Sequence, residues 1–149
     1  MTKKSQIIFM KGKEKALDAL FGDDNATFGY LAIGYEKTSG QNGFEDPLAT
    51  ENDSTSTGFT EIQQDSYHRI KLQKIENGTE RDPDSGKVLK KYQAVLDNDN
   101  ITQSQDINQI AVVDNQNIEA DTTIYSATTF QTFNKTNESS ITFVIGFRI

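Results

Sequence analysis

Residues 141–149 read ITFVIGFRI, with Ile141, Phe143, Ile145, Phe147 and Ile149 at every second position. Successive side chains of a strand point to opposite faces. All five apolar residues therefore share one face, and Thr142, Val144, Gly146 and Arg148 share the other. Leaving such a face in water would forfeit roughly 1.5–3 kcal/mol per large side chain, so this segment has to lie over a core. A flat apolar strand at an uncovered edge would also invite pairing with other chains. The expectation is a central strand.

Other segments carry the same kind of signal. In YLAIGY, Leu31, Ile33 and Tyr35 alternate with Tyr30, Ala32 and Gly34. The small pair Ala32 and Gly34 predicts close approach of a neighbour on that face. GFTEI, SYHRIKLQKI, KVLKKYQAVL, INQIAVVD and TTIYSATTF read as further strands. Asn77-Gly78 and Asp84-Ser85-Gly86 are two turn signals in the stretch that joins SYHRIKLQKI to KVLKKYQAVL. The sum is an antiparallel β-sandwich of about seven or eight strands.

One helix is predicted, over residues 12–22. Ala16, Leu17, Leu20 and Phe21 fall at helical spacing, and Gly22 suits a left-handed helix end. Lysines at its start and Asp23-Asp24 at its end oppose the helix dipole. A short helix of this kind is marginal alone, so packing through Leu17, Leu20 and Phe21 is expected to pin it. Residues 1–11 read as an arm whose apolar run, Gln6 to Met10, is either a strand or part of that arm, and 37–58 as a long polar loop. The whole of 1–149 reads as one domain.

Apolar residues make up only 34% of the 149, which suits a thin sandwich that completes its burial against neighbours. The net charge of -7 repels phosphate and anionic lipid. Nucleic acid and membrane are therefore poor partners. Lys3, Lys4, Lys11, Lys13 and Lys15 form the one basic cluster and read as a solvated segment. The absence of cysteine removes disulfides and thiol chemistry, and no apolar run near residue 1 is long enough for a leader.

Little points to chemistry. The single histidine, His68, has no nucleophile or orienting carboxylate placed beside it by the sequence. Asp23-Asp24, Asp82/Asp84 and Asp97/Asp99/Asn100 could supply oxygen ligands to calcium. No full calcium-loop motif is present, and such residues also form turns unaided. The reading is no enzyme, no cofactor and no resident metal. Phe28, Tyr30, Tyr35, Phe44, Phe59 and Tyr67 could make a sugar platform, but strand alternation assigns most of them to the core. Phe44 and Phe59 flank the long loop and, with Ala32 and Gly34, are the candidate contact residues.

The landmarks KALDALFGDD, TFGYLAIGY, GFTEI, SYHRIKL, IAVVDN, TTIYSATTF and ITFVIGF occur in that order. Together they resemble a class of small structural proteins of tailed bacteriophages. Members pair a short helix with a Tyr-x-Ala-x-Gly strand, here Tyr30, Ala32 and Gly34. A loop then ends in Glu and a Tyr-x-Arg strand, here Glu61, Tyr67 and Arg69. The resemblance implies a non-catalytic virion component at the tail, baseplate or fibre junction, made in the host bacterial cytoplasm. Its partners would be other virion proteins or further copies of itself. A head-fibre or capsid-decorating protein and a carbohydrate-binding module contacting host glycan are the alternatives.

Overall fold

The computed structural model describes residues 6–23, 27–37, 59–118 and 121–149. Eight strands and one helix follow in chain order: β1 (Gln6–Ile8), α1 (Met10–Leu20), β2 (Tyr30–Gly34), β3 (Ile70–Lys71), β4 (Gln73–Asp82), β5 (Lys87–Leu96), β6 (Gln105–Val113), β7 (Ile124–Lys135) and β8 (Ile141–Arg148). They form two sheets, a five-stranded one in the order β1-β7-β6-β2-β3 and a three-stranded one in the order β4-β5-β8. All strand pairs are antiparallel. The mainly β, sandwich-type architecture expected from the alternation is what the chain adopts.

β2 and β6 are buried on both faces. On the inner face Leu31 pairs with Val112 and Ile33 with Ile110. These residues meet Ala94 and Leu96 of β5, and Phe143, Ile145 and Phe147 of β8 pack against the same cluster. On the outer face Ala32, Ala111 and Ala127 lie in register across β2, β6 and β7, with Ile7 of β1 next in line. Three alanines in a row leave a shallow floor, and Phe9 is fully buried in the cluster they belong to.

Phe9 lies between β1 and α1, and its N–H donates to Tyr125 O at 2.9 Å. Of the two readings of the apolar run Gln6–Met10 the strand is the one found: Gln6–Ile8 form an edge strand, and the helix starts at Met10. The helix begins two residues earlier than expected and has no side-chain cap at its start. It does end at Gly22, whose φ is 84°. There Gly22 N–H donates to Ala19 O and Asp23 N–H to Asp18 O, the bond pair of a Schellman motif.

The expected pinning residues do not pin α1. Leu17, Leu20 and Phe21 are 57%, 74% and 75% exposed. The buried residue of the helix is Gly12, where a Cβ would come within 2.6 Å of Ile124 O and Tyr125 Cα. The helix thus seats backbone against backbone on β7, and its lysine-rich start is turned to suit. Lys15 reaches Asp114 at 2.5 Å, while Lys11 and Lys13 stay exposed. Gly12→Ala should destabilise the protein by about 1–3 kcal/mol through overpacking, although alanine favours an isolated helix by about 1 kcal/mol. Chemical denaturation reads the sign directly.

The segment read as one long strand, SYHRIKLQKI, is divided. Tyr67 and Arg69 are buried, β3 occupies two residues, and at Leu72 the chain crosses to the other sheet. Leu72 N–H donates to Gly29 O at 2.8 Å at the crossing. GFTEI contributes one bridge, Gly34 to Glu61, rather than a strand. Asn77-Gly78 is not a turn: Asn77 has φ 61° inside β4, where the β4–β5 register shifts between Lys74 and Thr79. The hairpin turn is made at Asp82–Gly86, with Gly86 at φ 72°. β8 is also not central. It pairs only with β5 among the described residues and forms an edge of the three-stranded sheet.

Candidate interaction surface

The frame is fixed by a buried polar cluster. Glu61 lies between β2 and β3 in the chain, and Tyr67 and Arg69 immediately precede β3. Arg69 donates to both carboxylate oxygens of Glu61, at 2.9 Å from Nε and 2.8 Å from Nη2. Its Nη1 donates to Asn115 O at 2.8 Å and Thr122 Oγ1 at 2.9 Å, in the connection between β6 and β7. Tyr67 OH donates to Glu61 at 2.5 Å and accepts from the N–H of Ile33 at 3.0 Å. Burial, and then the Glu61 charge beside it, push the Tyr67 phenol far above its usual range. Burial alone would lower Arg69, but the hydrogen bonds and charge of Glu61 outweigh it and hold the guanidinium more firmly protonated. Both Glu61 oxygens are engaged, so the cluster ties segments together instead of presenting a free acid or base.

The candidate contact residues fall as follows. Ala32 is fully buried, on the floor described above. Gly34 is buried too, and a Cβ there would meet Thr60 O at 2.7 Å, Gln109 Oε1 at 2.8 Å and Phe59 Cε2 at 2.8 Å. The close approach predicted at this pair is therefore made by the chain itself, and this face is corrected from an intersubunit to an internal contact. Phe59 is partly buried against the outer cluster. Phe44 and the rest of 38–58 lie outside the described residues, as do Lys3, Lys4 and Asp24. Tyr67 is in the core, while Phe28, Tyr30 and Tyr35 pack partly buried against the two clusters.

His68 is exposed. The acidic groups serve turns: Asp82 accepts from Ser85 Oγ at 2.7 Å and from Asp84 N–H at 3.0 Å. Those bonds, the Ser85 hydroxyl first, hold its carboxyl below the usual range. Asp97 accepts from the N–H groups of Asn100 and Asp99.

Among the described residues, three surfaces remain incomplete. The first is the α1 ridge of Leu17, Leu20 and Phe21. The second is a cavity of about 900 Å³ between the sheets, lined by Ile8, Phe28, Leu72, Val88, Tyr125 and Phe147 among others. Four rings cross it from sheet to sheet. Phe28 and Tyr125 centroids are 5.2 Å apart, Tyr125 and Phe147 6.0 Å, and Phe147 and Tyr92 6.0 Å. The third is the outer edge of β8, where Val144 is 60% exposed and the following Ile149 is 92% exposed. The alternation placed Val144 on the outer face, but only the strand order shows that the backbone beside it has no strand partner among the described residues. No family model, characterised protein or solved structure matches this chain.

Proposed function

We propose that this protein is a non-catalytic building block of a tailed-phage particle, placed at the tail, baseplate or fibre junction and working through contacts with neighbouring subunits. The virion placement rests on the ordered landmarks in the sequence. The observation that carries the assembly role is the uncovered apolar ridge Leu17, Leu20 and Phe21 on a helix with no side-chain cap. Contiguous exposed apolar residues of this kind mark interaction sites, and a helix this weakly encoded gains from a neighbour on its open side.

Labelled antibody on purified particles tests the placement, with label expected at the tail. Finding the chain in infected cells but never in particles would contradict it. Leu20→Ser should leave folding stability within about 0.5 kcal/mol, as for other exposed sites, and lower incorporation into particles. A large loss of stability would instead make the ridge part of the monomer's own core.

A further inference from the structure

We infer that the outer edge of β8 pairs antiparallel with β8 of a second copy, about a two-fold axis at Ile145, joining two three-stranded sheets into one of six. This rests on the building-block reading and names one of its contacts. Of the four edge strands among the described residues, three are unsuited to adding a strand. β1 has three residues and β3 has two. β4 is bulged and carries Lys74, Glu76, Glu80, Arg81 and Asp82, the usual devices that block an edge. β8 runs eight residues with an unbroken register against β5 and bears one charge, Arg148.

Hydrogen-bond parity fixes which atoms are free. Val88 and Ile149 exchange both backbone bonds, N–H to O at 2.8 and 2.9 Å. The antiparallel ladder alternates bonded and non-bonded pairs. Along the β5–β8 register, Phe147, Ile145, Phe143 and Ile141 therefore also direct their N–H and C=O groups at β5. The groups of Thr142, Val144, Gly146 and Arg148 point outward.

An antiparallel copy centred on Ile145 sets Thr142 opposite Arg148 and Val144 opposite Gly146. All four outward residues are then in bonded pairs, giving about eight hydrogen bonds. The same register stacks Ile141 on Ile149, Phe143 on Phe147 and Ile145 on itself, at the close spacing of non-bonded pairs. It covers the exposed Ile149, gives Val144 a glycine to lie over, and keeps the two Arg148 side chains at opposite ends. One strand is thus self-complementary in backbone, apolar face and charge, which is what an isologous two-fold contact requires.

The purified full chain should sediment at twice its 16.7 kDa. Val144→Pro removes only an outward N–H, so the ladder to β5 survives and the mass should fall to that of one chain, with the β circular dichroism retained. Val144→Lys should do the same by charge and covers the case of a strained proline. Ile141→Cys with Ile149→Cys should oxidise to a covalent dimer, because the two positions face each other across the axis. Within one strand they stand roughly 26 Å apart at the strand rise, beyond the reach of a disulfide. A wild-type chain that stays monomeric at every concentration, or a dimer that survives both Val144 variants, overturns the pairing. Neither result touches the building-block reading, which fails only if the chain is missing from particles.

Discussion

Arg69→Ala should lower the free energy of unfolding by about 3–5 kcal/mol, the cost of stranding one partner of a buried ion pair. The side chain is buried and holds Glu61 by two bonds. Its loss also removes the Nη1 bonds to Asn115 O and Thr122 Oγ1. Against a total stability of about 5–15 kcal/mol for a domain, that is a large fraction. Lysine should rescue little, since a single ammonium cannot reproduce a planar fork that binds a carboxylate on one side and a loop on the other. A midpoint shift worth less than about 1 kcal/mol in urea unfolding would show that the cluster is solvated and structurally incidental.

Phe9→Ala should cost a similar amount, about 3–5 kcal/mol for an aromatic removed from a packed site. Ala32, Ala111 and Ala127 have no side-chain length with which to refill the space. Phe9 also joins β1 to α1, so the damage should be local first. Amide exchange should accelerate over 6–20 more than over β5 and β8. Uniform acceleration across both sheets would mean that the outer cluster is not a separable layer.

The alternation of Ile141 to Ile149 was enough to find a strand with its apolar face inward. It was not enough to place that strand in the sheet. A central and an edge strand bury the same inner side chains, and they differ in whether backbone groups beside Val144 and Gly146 have a partner, which no side-chain pattern records. The helix repeats the lesson. Leu17, Leu20 and Phe21 do form one ridge, but the seat is set by backbone contact at Gly12, so the ridge faces out. Ala32 and Gly34 correctly signalled close approach; the neighbours proved to be the chain's own Phe9 cluster and Phe59. At Leu72 the chain changes sheets, and the parity that buries Tyr67 and Arg69 exposes Lys71 and Gln73. Glu61, Tyr67 and Arg69 were legible as landmarks, but their mutual hydrogen bonds depend on bringing the stretch before β3 beside β2 and the β6–β7 connection.

Amide hydrogen exchange on the free chain and on the chain within purified particles tests most directly whether neighbours complete this fold. In the free chain diluted until it sediments as a single copy, Phe143, Ile145 and Phe147 should be protected by β5, while Thr142, Val144, Gly146 and Arg148 exchange quickly. In particles the second set should become protected as well, and the amides of Leu17 to Phe21 should slow. Equal and rapid exchange of Thr142, Val144, Gly146 and Arg148 in both states, with no slowing along α1, would contradict an assembly role for these surfaces.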